Sequence, residues 1–326
     1  MSFFGKKAIG VEIDDKEIRV VELQKKKRKI FLSRYDRFSL PPGVVEDGRI
    51  SKLDELSSYL KKLWEKNKFK KKNIILGLSN QDVMIRKISL PDIPKEKLDL
   101  LISNHAQEYI PFALDDCILD YMIVGKKETR DVKQVEILLA AAQLPMIKDF
   151  YQCFNRIRLT IEDIKISSLA ILDVIKEEKS RGVAIFIDIP NNLGNLVISI
   201  DGAPKLVRLL RVNLAQATGL DPATTNSKLE LMDIVLSTWS QILYNEIRSS
   251  IQYFQTYENV DSIDKIILSG CGSRIMGLDR ALQNSMDIPV EIIDPMQKIW
   301  TSSNSYLQED IIDYSTCIGL AFAGLE

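Results

Sequence analysis

Two segments far apart in the chain open alike, and no other feature restricts the fold as strongly. "AIGVEIDDKEIRVVEL", Ala8 to Leu23, reads as a strand over Ile9–Ile13, a tight turn at Asp14–Glu17 and a returning strand over Ile18–Leu23. "VAIFIDIPNNLGNLVISIDGAPKLVRLL", from Val183, repeats the plan: an Ala-Ile strand with one acid near its end, a turn, and a strand coming back. Glu12 and Asp188 hold equivalent places. A supersecondary unit used twice points to internal duplication, and 326 residues suit two lobes better than one core.

The turns inside the hairpins carry the chemistry. A hairpin that holds a nucleotide's phosphates keeps small residues there, so that backbone N–H groups can approach the anion. The first turn here is Asp-Asp-Lys-Glu. A carboxylate beside a phosphate costs about 1 kcal/mol per pair in water and about 4 at an effective dielectric of 20. In the second turn Pro190 has no N–H to donate and a fixed φ.

Composition closes other routes. A net charge of -1 argues against a nucleic-acid binder that works by neutralising phosphates. Cys117, Cys153, Cys271 and Cys317 form no C-x-x-C pair and read as reduced thiols of a cytosolic protein. The single histidine, His105, leaves no His-rich metal site. No apolar run approaches the ~20 residues of a membrane span, and "MSFFGKK" lacks the h-region of a signal peptide. "KKKRK" at Lys25–Lys29, with Lys61, Lys62, Lys66, Lys68 and Lys70 to Lys72, reads first as a solvated turn and a polar helix face. A basic face toward anionic lipid or an acidic partner is the sharper alternative.

Between the hairpins the pattern predicts a helix from about Lys52 to Lys66, a buried strand at Asn73–Ser79, and then a compact strand-helix-strand-strand-helix-strand unit from Gln81 to Ser167. His105 falls in phase with Leu98, Leu101 and Ile102 on the first helix of that unit, as a packed or rim residue. After the second hairpin come a long helix, about Lys228–Gln255, the strand-turn-helix "IILSGCGSRIMGLDRAL", and a small-residue helix "YSTCIGLAFAG". The expected division is 1–80, 81–167 and 168–326, with the last helix returning to the first lobe.

The Gly-rich turn "SGCGS", placed in order after two matching hairpins, resembles that of the actin-like ATPase superfamily. Within it the chain is similar to the PilM family of type IV pilus assembly, relatives of the division protein FtsA. The resemblance covers nearly the whole chain and includes "QEYIPFALDDCILDYMIVG", "EIRSSIQYF" and "IGLAFAG". It implies an actin-like, duplicated ribonuclease-H-like bilobal α/β fold with an inserted FtsA/PilM-type α+β subdomain.

The resemblance also implies where a nucleotide would lie. Glu12 stands at the family's first-hairpin acid, Arg19 at its second-strand lysine, and Asp188 at the acid that holds magnesium-bound water, the one catalytic candidate if the chain is an ATPase. Gly270, Gly272 and Ser273 match the base-binding turn, and Glu246 and Arg248 lie on the helix that approaches ribose and base. Asp14, Asp15 and Glu17 depart from the small-residue turn. Gly194 stands where the family has a hydroxyl. The expectation is a half-intact cleft, with ATP and magnesium bound weakly or not at all and no hydrolysis.

The implied partner is the N-terminal cytoplasmic peptide of the membrane protein PilN, in a groove between the first subdomain and the inserted one. Tyr109, Pro111 and Phe112 are candidates for shaping its neighbourhood. The implied place is the inner face of the cytoplasmic membrane, reached through PilN, among other platform proteins and the motor. An active ATPase controlling that groove and a type II secretion component of the same fold are the alternatives.

Overall fold

The computed structural model describes residues 5–129, 132–220, 228–300 and 309–326. The first lobe begins with a meander of β1 (Lys6–Ile13), β2 (Glu17–Lys26) and β3 (Lys29–Ser39). Its register sets Glu12 opposite Arg19. A short ladder of β4 (Val45–Glu46) with β5 (Arg49–Ile50) leads into α1 (Leu53–Asn67). Leu56, Leu60, Leu63 and Trp64 recur at helical spacing and bury one face of α1, while Asp54 and Glu55 in its first turn complement the helix dipole. Lys68 stops the helix in the left-handed conformation, and β6 (Asn73–Leu78) returns parallel to β1.

The chain then leaves the lobe. β7 (Val83–Pro91), α2 (Lys95–His105), β8 (Cys117–Thr129) and β9 (Val132–Gln143) form an antiparallel sheet ordered β7-β9-β8, with α2 on one face. α2 is shorter than the apolar phase suggests and ends in a 3-10 turn at Ala106–Glu108, ahead of Pro111. His105 is on the exposed side, its Nδ1 2.7 Å from Glu108 Oε1. Most of the span read as a charged turn, Lys126 to Lys133, is strand; residues 130–131 lie outside the described residues.

α3 (Leu144–Arg156) and β10 (Thr160–Ile166) fall inside the expected unit of Gln81–Ser167, but they pack elsewhere. β10 pairs in parallel with β6, and α3 buries Met146, Ile147, Phe150 and Phe154 in the core that holds Ile9 and Leu56. The insertion is therefore four elements, not six. The local pattern of α3 and β10 is the same in either place; the open edge of β6 decides where they go.

α4 (Ser167–Ala170) crosses to the second lobe: β11 (Val183–Asp188), β12 (Gly194–Ile200), β13 (Ala203–Leu210), α5 (Leu214–Thr218), α6 (Asp233–Glu258), β14 (Lys265–Ser269), α7 (Leu278–Met286) and β15 (Val290–Ile292). α6 starts later than the sequence suggests, because Leu229 is drawn into a bridge with Ile275. The two sheets have one topology: β10-β6-β1-β2-β3 and β15-β14-β11-β12-β13 run in the same order with the same directions. Glu12 and Asp188 each face the seventh residue after them, Arg19 and Asn195. The duplication is thus one of register as well as of pattern.

α8 (Ser315–Ala323) joins the lobes. Cys317, Ile318, Ala321 and Phe322 share one core with Ala8, Val21 and Leu23 of the first sheet and Ala184, Phe186 and Val197 of the second. Small residues make this possible. A Cβ on Gly10 would fall 2.2 Å from the Cys317 carbonyl oxygen, and one on Gly319 would fall 1.9 Å from that of Ala170. Among the described residues no helix is long and apolar enough to cross a membrane.

Candidate functional site

The tips of the two hairpins meet, and their side chains occupy the space between them. Asp14 closes its own turn: Oδ1 accepts from the backbone N–H groups of Lys16 at 2.8 Å and Glu17 at 2.9 Å. These are amides that a phosphate-holding turn would present to an anion. Asp14 Oδ2 takes the Arg19 guanidinium at 2.9 Å and the Asn191 side-chain amide at 3.0 Å. Asp15 accepts from the backbone N–H of Asp47 and Gly48, and from Asn192 Nδ2 at 2.5 Å. The two asparagines of the second turn thus cross the cleft to the two aspartates of the first.

Arg19 is fully buried and serves three acids, with Glu12 and Glu17 each at 3.3 Å in addition to Asp14. Burial pushes Glu12 up to about 8; Arg19 opposes the shift, while Asp188 and Asp14 add to it. Burial pushes Glu17 to about 7, again against Arg19. Asp188 is raised by burial and held by hydroxyls, accepting from Ser269 at 2.7 Å and from Thr316 at 3.4 Å. Around these groups, the cavity lined by Glu12, Asp14, Asp15, Arg19, Pro190 and Asn195 has a volume of about 20 Å³, room for about one water molecule.

Gly270, Gly272 and Ser273 form a buried turn pressed onto the second hairpin. Gly270 has φ +76°, and a Cβ there would stand 2.7 Å from the Ile189 carbonyl and 2.8 Å from Asp188 Oδ1. The Gly272 N–H donates to the Ile189 carbonyl at 2.9 Å, and the Ser273 hydroxyl to that of Gly270 at 2.6 Å. Cys271 is buried in the same turn, and burial raises its thiol well above the usual range. Glu246 and Arg248 do not line the hairpin cavity. Arg248 is exposed and donates to the Tyr244 hydroxyl one turn back at 2.7 Å.

A second network was not visible in the sequence. Arg274 grips Asp313 with two bonds of 3.0 Å, and Arg37 reaches Asp313 at 3.1 Å, Asp310 and, at 3.6 Å, Glu17. It ties the Gly-rich turn, β3 and the segment before α8 to the acids of the first hairpin. The only trace in the sequence is the three-residue spacing of Asp310 and Asp313 ahead of an apolar helix. Asn191 and Asn192 left a clearer trace, as "PNN" in a turn where small residues were expected.

The inserted sheet meets the second lobe across a much larger cavity, about 950 Å³. Lys87 and Lys205 lie 2.7 and 2.9 Å from Glu136, and Lys87 also pairs with Glu258 of α6. Burial pushes the Glu136 carboxyl up, but hydrogen bonds from the two lysines outweigh it and hold the group below its usual range. Tyr109 lines this cavity. Tyr109 and Phe112 pack partly against the inserted unit's core, and Pro111 is exposed.

Two lobes of one topology, hairpins meeting at their tips and a helix locked between the sheets define an actin-like fold. The family described as "Type IV pilus assembly protein PilM" matches residues 10–199 and 224–325, and the chain belongs to that family. Its fold is similar to that of a solved structure described as "PilM-PilN type IV pilus biogenesis complex": TM-score 0.84 and 22% identity, covering 98% of each chain. A more distant likeness is to the ethanolamine utilization protein EutJ from Carboxydothermus hydrogenoformans, with TM-score 0.52, 10% identity, and coverage of 97% of this chain and 89% of that one.

Proposed function

We propose that the protein is an actin-like adaptor of the type IV pilus assembly platform, which binds the N-terminal cytoplasmic peptide of PilN and holds no nucleotide. Membership of the PilM family supports the first part, as does likeness to a chain solved in a PilM–PilN complex. PilN brings the adaptor to the inner face of the cytoplasmic membrane, beside the other platform proteins and the motor.

One observation carries the second part: the chain's own carboxylates fill the space between the hairpin tips, where the resemblance puts a nucleotide's phosphates. Asp14 takes the turn amides and Arg19, and about 20 Å³ remains where a triphosphate would need hundreds. ATP and magnesium do not fit these residues. Calorimetric titration of the full chain with ATP and magnesium should give no binding heat. Binding that disappears in Asp188→Ala would instead support the second reading, an active ATPase, for which the retained Asp188 with its Ser269 and Thr316 hydroxyls is the one favourable observation.

The peptide's place is the free edge of β8. It is an outer strand of the inserted sheet, with Ile118, Met122 and Ile123 exposed at 44%, 47% and 52%. An extended peptide added there gains main-chain hydrogen bonds, and the apolar side chains give it pockets. Ile118 pairs with Ala142, which packs on the first lobe's core, so the site lies where the inserted unit meets that lobe. Ile118→Asp or Met122→Lys should abolish binding of a synthetic PilN N-terminal peptide. Wild-type affinity in both variants would place the peptide elsewhere.

A further inference from the structure

The end of the first sheet remote from the cleft gathers cations that nothing in the site uses. The register brings them together. Lys6 stands opposite Lys25, and Lys26 opposite Lys29, so the start of β1 lies level with the β2–β3 tip, where Lys27 and Arg28 are exposed. β6 runs parallel to β1, and β10 to β6 with Thr160 beside Asn73. Lys70, Lys72 and Arg158, just ahead of those strands, therefore reach the same end. α1 delivers Lys68 there, since Arg34 on β3 donates to the Asn67 and Lys68 carbonyls at 2.7 and 2.8 Å.

None of these lysines, nor Arg28 or Arg158, has an ion pair among the described residues, while neighbouring acids are already taken. Glu65 pairs with Lys61, Glu162 with Lys71 and Asp36 with Lys66. With a net charge of -1 for the whole chain, this is segregation of charge rather than an excess of it.

An aromatic ring stands in the patch. The Trp300 backbone N–H donates to the Ile30 carbonyl at 2.7 Å, the ring meets Phe31 edge-on at 5.4 Å, and the Lys29 ammonium lies 3.9 Å from its centroid. Yet Trp300 is 49% exposed, whereas Trp64 and Trp239 are buried. A half-exposed indole among lysines matches the chemistry of a bilayer's headgroup layer. An acidic peptide would call for a groove, and these residues line none of the cavities of about 950, 570 and 20 Å³.

We propose that this basic end, with Trp300, docks directly on anionic phospholipid headgroups. The eight residues of β1 span about 25 Å, so a chain standing on this end holds its hairpin cleft clear of the bilayer. The inference rests on the charge pattern and Trp300, and is independent of the PilN reading.

The test is co-sedimentation of the full chain with vesicles of phosphatidylcholine alone and of phosphatidylcholine with equimolar phosphatidylglycerol. Binding is expected to the anionic vesicles only, to weaken as salt shortens the Debye length, and to shift tryptophan emission to the blue in wild type but not in Trp300→Phe. Each cation near an anionic leaflet raises partitioning about fivefold. Lys25→Glu with Lys27→Glu and Arg28→Glu should therefore lower it about a hundredfold, with an unchanged thermal melt; Lys70→Glu with Lys72→Glu serves if that triple variant misfolds. Equal binding to neutral vesicles, no binding to either at low salt, or wild-type binding by the charge-reversed variants overturns the proposal. So does retention on polyglutamate or duplex DNA by a chain that ignores vesicles.

Discussion

Arg19 and Asp14, five residues apart, face each other across the first turn at 2.9 Å, with the guanidinium fully buried and the carboxylate also holding two turn amides. Arg19 serves as an internal counter-ion to three acids. Removing one member of a buried ion pair leaves the others uncompensated, at a cost of about 3–5 kcal/mol. Arg19→Met should lower stability by that amount in urea unfolding. A loss below about 1 kcal/mol would show that the acids manage without the cation.

Acidity should matter in the opposite sense to a surface salt bridge. Glu12 and Glu17, raised from 4.5 to about 8 and about 7, keep protons in the fold at pH values where the unfolded chain has lost them. The folded state binds more protons across that window, so stability falls as pH rises from about 5 to 8. One proton's difference is worth about 1.4 kcal/mol per pH unit. Glu12→Gln should flatten the slope by a measurable part of that. A wild-type stability that climbs between pH 6 and 8 would contradict the burial argument.

If carboxylates fill the phosphate position, taking them away should reopen it. Asp14→Gly with Asp15→Ser frees the Lys16 and Glu17 N–H groups and takes one partner each from Arg19, which keeps Glu12 and Glu17, and from Asn191 and Asn192. Affinity for ATP with magnesium, followed by calorimetry, should rise at least about tenfold, equivalent to about 1.4 kcal/mol. An unchanged titration would put the block in the second hairpin, at Pro190.

The join between lobes has a steric test. Gly319→Ala forces a Cβ onto the Ala170 carbonyl oxygen at 1.9 Å, and overpacking of this kind costs about 1–3 kcal/mol. The melting midpoint should drop, and it should drop further for Gly10→Val, which wedges α8 from the other side. Tolerance of both would mean that α8 can slide between the sheets.

The separate elements are legible in the chain. Strand and turn at Ile9–Leu23, their repeat from Val183, the strands and helices between Gln81 and Ser167 and the small-residue last helix could be read because apolar period and turn chemistry act over a few residues. The sequence also showed Asp14, Asp15 and Pro190 where the resemblance leads one to expect small residues. Only the tertiary structure decided where α3 and β10 belong, since an open strand edge is a property of β6 and not of β10. It alone set Asn191 against Asp14 and Asn192 against Asp15, and Arg37 and Arg274 against Asp313, across long stretches of chain. Hydrogen bonds and ion pairs act over a few ångströms of space, and one strand of sequence holds no record of which distant residues will share them.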